Sequence, residues 1–375
     1  MSINPILTKQ TVLIRVCYDI PDLRSLSRIQ DSLATIAEVL QQNNKVVLIS
    51  HWGRPEGIFK SELSFSRALP AIQQKIQKGL TKLGVPQAQN LFVEVIDQTE
   101  PEADFAAIAK YIESSNNQIF LLENTRFIPE EQSKKPNQRQ ELAKKYAKLG
   151  KFLVCEDFAV SHRQEATVQE LKEYLPHTNG SSYQAELKNL DRIKNTNAKP
   201  VVVVLGGAKL ETKLPLIQSL LPKVDYLLIG GAICFTFLQA ANSSLNLGDA
   251  PIESSFIHEA KEILKKFKQK IILPQDFIYT KNITPADIGP KTIHEFSEKI
   301  TMAGTIFWNG PMGKYENPKY RQGTKVLADL IANQMRAFRV VGGGDTNAAI
   351  PAKLLKKFSF VSMGGGATLE YLGQD

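Results

Sequence analysis

The chain has 375 residues, 43% of them hydrophobic and 22% charged, with a net charge of +8. That length exceeds one typical core and points to two domains, and the composition excludes a disordered or fibrous chain. No apolar run reaches the roughly 18 residues of a membrane span, and the positive charge is not packed into an arm, so neither a membrane nor a nucleic acid is expected as partner.

The N-terminal stretch MSINPILTKQ lacks the basic, long apolar and small-residue regions of a signal peptide. Cys17, Cys155 and Cys234 are widely spaced and form neither a metal pair nor a disulfide framework, which suits a reducing cytoplasm. The lysines at 265–270 and 356–357 fall on expected helices or their ends and read as solvated faces.

Short apolar runs then recur between helix-like stretches. The first half carries VLIRV (12–16), VVLIS (46–50), LFVEVI (91–96), IFLLE (119–123) and FLVCE (152–156). Runs this short and β-branched predict buried parallel strands in βαβ order. Basic residues stand near their ends: Arg15 and Arg28 near the first, His51 and Arg54 in SHWGRP, Arg126 in ENTRF, His162 and Arg163 in SHR. A lone arginine is usually a surface residue. Several at the same ends of parallel strands should converge, and guanidinium forks grip carboxylate and phosphate. A small substrate with several negative charges is expected. His51 and His162 read as anion-site donors, with a purely structural role as the other possibility.

A turn-rich HTNGSSY, a charged helical pattern in QAELKNLDRIKN and a closing NTNAKP mark a boundary around 178–198. The expected domains are 1–182 and 183–375, with a linker helix about 183–198 serving as a hinge. The second half carries VVVVL (201–205), YLLIG (226–230), IILP (271–274), TIFWN (305–309), FRVVG (338–342) and FSFVS (358–362). Five and six strands suit two doubly wound parallel α/β sheets, a Rossmann-like architecture in each domain.

Four strands of the second half run into glycines and then a helix: VVVVLGGAK, LLIGGAI, RVVGGGDT and FVSMGGGAT; WNGPMG adds a fifth glycine-rich corner. One such junction is an ordinary turn. Four together point to a phosphate-bearing nucleotide, because glycine admits close backbone approach and a helix N-terminus favours an anion. There is no G-x-x-x-x-G-K-[ST] loop and no dinucleotide fingerprint. Lys209 and Lys213, four apart, are expected on one helix face toward phosphate, or else toward solvent. An anionic acid in one domain and a nucleotide in the other imply phosphoryl transfer across a cleft.

Together these segments resemble the phosphoglycerate kinase family over nearly the whole chain. RVCYDIP is similar to the family's R-V-D-F-N-V-P, and SHWGRP, LLENTRF, VVVVLGGAK, IGGAICFTFL, DIGPKT, WNGPMG, VGGGDT and GGGATLE are close to its signatures. The resemblance implies a cytoplasmic, monomeric two-domain enzyme of glycolysis, moving phosphate reversibly between ATP and 3-phosphoglycerate, with Mg²⁺ and with ADP and 1,3-bisphosphoglycerate as the other pair. It implies that Arg28 stabilises the transferring group and that His51, Arg54, Arg126, His162 and Arg163 bind the glycerate. It implies nucleotide contacts from Lys209, Lys213, Asn309, Glu316 (ribose), Gly343, Gly344, Asp345, Thr346, Gly364, Gly365 and Gly366. It implies that Lys213 lies near the transferring group and that Asp345 holds the metal; Asp345 is also expected to cap its helix.

Three departures stand out. The family's substrate-contacting Asp and Asn are Cys17 and Asp19 here, so Asp19 is expected to accept from the substrate hydroxyl and Cys17 to be that change's partner or a small buried filler. The stretch 277–287 is shorter than in the family. The chain stops at LEYLGQD, where the family usually continues against the first domain, which is expected to alter closure or stability; Met363 stands for a usual threonine. Two other readings therefore stand beside an active kinase: a homologue that binds nucleotide or a partner without turnover, and a kinase for another phosphorylated acid.

Overall fold

The computed structural model describes residues 8–20 and 26–374. The opening MSINPIL, Pro21 of the RVCYDIP segment and the terminal Asp375 lie outside the described residues. The chain forms two compact units, Met1–Glu186 and Leu187–Asp375.

In the first unit, β1 (Thr11–Arg15), β2 (Lys45–Ile49), β3 (Val93–Ile96), β4 (Ile119–Leu122), β5 (Phe152–Cys155) and β6 (His177–Asn179) form a parallel sheet in the order β3-β4-β2-β1-β5-β6. Alternation along the strands divides the core. Val12, Ile14, Val46, Leu48, Ile119, Leu121 and Val154 face the helices Ser27–Gln41 and Phe65–Lys82; Leu13, Val47, Phe120 and Leu153 pack on the other face with Phe105, Ile112 and Tyr146. Each fully buried aliphatic side chain is worth roughly 1.5–3 kcal/mol. Both faces are covered, as the continuous apolar runs require.

In the second unit, β7 (Val201–Leu205), β8 (Tyr226–Ile229), β9 (Ile271–Ile272), β12 (Thr305–Asn309), β13 (Phe338–Gly342) and β14 (Phe360–Ser362) form a second parallel sheet, ordered β14-β13-β12-β7-β8-β9. β10 (Phe277–Tyr279) and β11 (Pro285–Ile288) pair apart from it as an antiparallel hairpin. The fold is thus the expected α/β architecture with two doubly wound sheets.

Two pieces differ from the sequence reading. HTN, read as part of a turn-rich stretch, is the edge strand β6, paired to β5 through Leu153, Val154 and Cys155. The 277–287 stretch forms the hairpin. The helix that crosses from one unit to the other runs Ser181–Lys194. Its start is fixed by Thr35 Oγ1, which accepts from Ser181 N at 3.0 Å, and by Glu156 Oε1, which accepts from Ser182 N at 3.1 Å. These bonds satisfy donors that a helix N-terminus leaves open. Burial pushes Glu156 up to about 7. All three cysteines are free, and among the described residues no helix is long and apolar enough to cross a membrane.

Candidate active site

In the first unit the basic residues converge, around a carboxylate. Arg15 ends β1 and is 2% exposed. Its Nε donates to Thr167 Oγ1 (3.1 Å), Nη1 to Val16 O (2.6 Å) and Asp157 (3.3 Å), and Nη2 reaches Glu165 Oε2 (3.5 Å) and His51 Nδ1 (3.0 Å). A guanidinium can only donate, so His51 Nδ1 accepts and the proton sits on Nε2. Burial, then Arg15, Arg126 and Arg163, hold His51 well below its ordinary pKa. His51 can serve an anion as a neutral N–H donor, not as a cation.

Arg126 donates through Nη1 to Gly53 O (2.7 Å) and through Nη2 to Glu165 Oε1 (2.6 Å). Arg163, whose side chain is 34% exposed, lies 3.8 Å from the same Oε1. Burial and then Arg126 lower its pKa, with Arg54 acting in the same sense. Arg54 is exposed and His162 half-buried. Burial opposes the charge of Glu165, but Arg15 and Arg126 outweigh it and hold its pKa below the ordinary value.

Arg28 is not at a strand end. It lies in the first turn of the helix Ser27–Gln41 and reaches back to the segment after β1. Its Nη1 donates to Cys17 Sγ at 2.8 Å and stands 3.8 Å from Asp19 Oδ2. Asp19 Oδ1 accepts from Gly53 N at 3.0 Å, which ties this segment to the SHWGRP loop. Burial, then Asp157, push the Cys17 thiol up to about 12.

The second unit builds its site from backbone. Gly206 N donates to Asn309 O (2.9 Å), Gly207 N to Pro311 O (3.0 Å), Ala232 N to Gly207 O (2.8 Å) and Gly231 N to Met312 O (3.1 Å). The corners after β7, β8 and β12 therefore interlock. A Cβ on Gly206 would fall 2.1 Å from Pro311 O, and one on Gly310 2.2 Å from the carbonyl carbon of Gly206. No side chain fits there.

Beside these corners lies a cleft of about 270 Å³, lined by Phe235, Phe277, Pro285, Pro311 and Met312 with Tyr315, Glu316, Asp287 and Asp345 among its polar members. Such a mostly apolar slot with few polar groups suits a flat heterocycle. The exposed carboxylates of Glu316 and Asp345 open onto it.

Several expectations need correction. Lys209 and Lys213 do not share a helix face, because the helix begins only at Leu214. Pro215 sits in its first turn, where the missing N–H costs nothing; further inside a helix it would cost a hydrogen bond and a clash. The junction after β7 is therefore a turn rather than a direct entry into a helix. Lys209 is exposed, whereas Lys213 is 8% exposed and burial lowers its pKa to about 8, with Asp345 acting in the opposite sense. Asp345 does not cap its helix: the cap position is Gly343, and Asp345 lies in the first turn of Gly344–Ala349, where a carboxylate still suits the helix dipole. Asn309 is buried and donates to Gly342 O (2.9 Å), and Thr346 Oγ1 accepts from Gly310 N (2.6 Å). Both brace loops rather than line the cleft. Gly364 is buried, Gly365 half-buried and Gly366 exposed, and Gly366 begins the helix Gly366–Gly373.

Among the described residues no cluster of three or more His, Cys, Asp or Glu could hold a metal by itself. Asp345 alone, exposed at the cleft, fits Mg²⁺, which takes one or two carboxylates and completes its shell with phosphate and water.

The family model for phosphoglycerate kinase matches residues 4–374. The chain belongs to the phosphoglycerate kinase family. It is thus a phosphotransferase of glycolysis. A phosphoglycerate kinase of Corynebacterium jeikeium (strain K411) is 35% identical over 391 residues, covering 96% of this chain and 92% of its relative. One of Dictyoglomus turgidum is 33% identical with the same coverage. The solved phosphoglycerate kinase of Coxiella burnetii covers 98% of this chain and 94% of its own, at 32% identity and a TM-score of 0.78. That of Pyrococcus horikoshii OT3 reaches 0.81 at 25% identity.

The apolar lining of the cleft carries no mark in the sequence. Phe235 and Phe277 stand in apolar runs like any core residue, and only the fold shows which of them face the cleft. Glu165 is equally unmarked, one more charge after SHR in a stretch that reads as surface.

Proposed function

We propose that the protein catalyses Mg²⁺-dependent, reversible phosphoryl transfer between ATP and 3-phosphoglycerate, in line and after domain closure, as a cytoplasmic monomer. The observation that carries this reading is the pairing of chemistries on the two units. One bears Arg28, Arg54, His51, His162 and Arg163 at one end of its sheet. The other bears an apolar cleft with glycine corners, Lys213 and Asp345.

On this reading the base enters the cleft lined by Phe235 and Phe277, Glu316 accepts from the ribose hydroxyls, and the phosphates meet Lys209, Lys213 and the N–H groups at Gly343–Gly344 and Gly364–Gly366. Asn309 and Thr346 hold the loops that present those groups. Asp345 would hold Mg²⁺, which supplies charge neutralisation to the phosphates when bound. In the first unit, Arg54, Arg163, His162 and the neutral His51 bind the acid, Arg126 fixes the loop around Gly53, and Asp19 accepts from the acid's hydroxyl. Arg28 and Lys213 donate to the oxygens of the group in transit, where charge stabilisation contributes more than covalent assistance. Closure excludes water, which would otherwise compete as acceptor.

The test is turnover of the purified protein with Mg-ATP and 3-phosphoglycerate, coupled to reduction of the 1,3-bisphosphoglycerate formed. A rate of about 1 to 1,000 per second is expected. Absence of turnover with Mg-ATP binding intact would reject 3-phosphoglycerate as the acceptor.

A further inference from the structure

We propose that Glu165 sets how much negative charge the acid site of the first unit accepts, and so determines its affinity for phosphorylated acids. This rests on the reading above that this unit takes the acid. The carboxylate is 1% exposed, yet it stands where a bound anion would be expected to gather cations. Oε1 accepts from Arg126 Nη2 at 2.6 Å and Gln132 Nε2 at 2.8 Å, with Arg163 Nη1 at 3.8 Å; Oε2 faces Arg15 Nη2 at 3.5 Å.

The partners decide what is left for a ligand. Arg126 is 2% exposed, with one terminal nitrogen on Gly53 O and the other on Glu165. Arg15 is equally buried and also paired with Asp157. Those two guanidiniums spend their forks internally. Arg28, Arg54 and Arg163 remain within reach of solvent, and Glu165 draws on Arg163 as well. A phosphorylated acid brings about three negative charges at neutral pH, counting up to two for its phosphate. It therefore meets a site already partly neutralised from within. Glu165 acts as a built-in competitor that weakens anion binding and flattens its dependence on salt.

The experiment compares wild type and Glu165→Gln. One unit charge at ~10 Å through an effective dielectric of ~20 is worth on the order of ten-fold in affinity. The expected result is a KM for 3-phosphoglycerate about ten-fold lower, with a steeper rise of KM with salt and an unchanged KM for Mg-ATP. A purely structural Glu165 would instead release Arg126 and the Gly53 loop and raise that KM; a higher or unchanged KM overturns the proposal. If the variant does not fold, Gln132→Lys, at an exposed position beside Oε1, adds the same unit of charge with Glu165 in place. It is expected to lower the KM similarly, and no change overturns the proposal. Should wild type show no turnover with 3-phosphoglycerate, the acceptor assignment fails by itself. Sulfate-dependent thermal stabilisation then serves as readout, with a half-maximal sulfate concentration about ten-fold lower in Glu165→Gln expected and an equal one overturning.

Discussion

Nη1 of Arg28 donates to the thiol of Cys17 across 2.8 Å and lies 3.8 Å from Oδ2 of Asp19. Cys17 and Asp19, two of the positions after β1 where this chain differs from the family pattern, therefore both face the arginine proposed to steady the transferring group. Arg28→Ala should lower kcat by about a thousand-fold or more, the size of effect seen when a transition-state arginine is removed. Nucleotide binding, measured by calorimetry with Mg-ATP, should stay within two-fold. Near-normal turnover would remove Arg28 from the mechanism.

Exchanging the two departures together, Cys17→Asp with Asp19→Asn, keeps an acceptor for Gly53 N at position 19 and moves the carboxylate to position 17. The KM for 3-phosphoglycerate should shift by about ten-fold or more, since a charge-assisted hydrogen bond to substrate contributes about 1.5–3 kcal/mol. An unchanged KM would mean that Asp19 does not meet the substrate.

Lys213 couples function to stability. Its ammonium is buried, and burial lowers its pKa from the ordinary 10.5 to about 8. The unfolded chain then binds the proton more tightly than the folded one between about pH 8 and 10.5, so this group's contribution to stability rises with pH across that window and is lost below it. At pH 7 the charged lysine costs on the order of 3 kcal/mol. Lys213→Met should raise the melting temperature by roughly 6–12 °C, at about 2–4 °C per kcal/mol for a unit of this size, while abolishing turnover. A lower melting temperature would show that the buried charge has compensation in the free protein.

Glu156 carries the opposite sign. Burial raises its pKa from 4.5 to about 7, so the folded chain holds the proton more tightly. Its contribution is full below pH 4.5 and is lost as pH rises through about 7. Glu156→Gln, which keeps an acceptor for Ser182 N at the start of the crossing helix, should flatten the decline of denaturant stability between pH 5 and 8. Parallel wild-type and variant curves would assign that decline elsewhere.

The eleven apolar runs read as strands all form strands, because parallel strands covered on both faces need unbroken apolar sequence. β6 was not legible: a three-residue edge strand reading HTN buries little and shows no period. Nor was the hairpin Phe277–Ile288, which stands apart from the parallel sheet. The glycine corners were legible as sites of close backbone approach. The burial of Lys213 was not, since the position of Pro215 had to be weighed against the spacing of two lysines. Glu165 was hidden for a related reason. Charge in a sequence is read as solvent-facing, and only tertiary contacts reveal a carboxylate enclosed by arginines.

Gly206 and Gly310 lie about a hundred residues apart, yet the backbone of each fills the space a methyl group on the other would need. The atoms in the way are backbone, so neither position gains room from a change of side chain at the other. In a saturation library of this chain, each position alone should return only glycine among folded clones, and Gly206→Ala should fail as Gly310→Ala does. Any attempt to lengthen or graft the nucleotide-facing loops must transplant the corners after β7, β8 and β12 as one part, because the contact that aligns them belongs to none of the three loops separately.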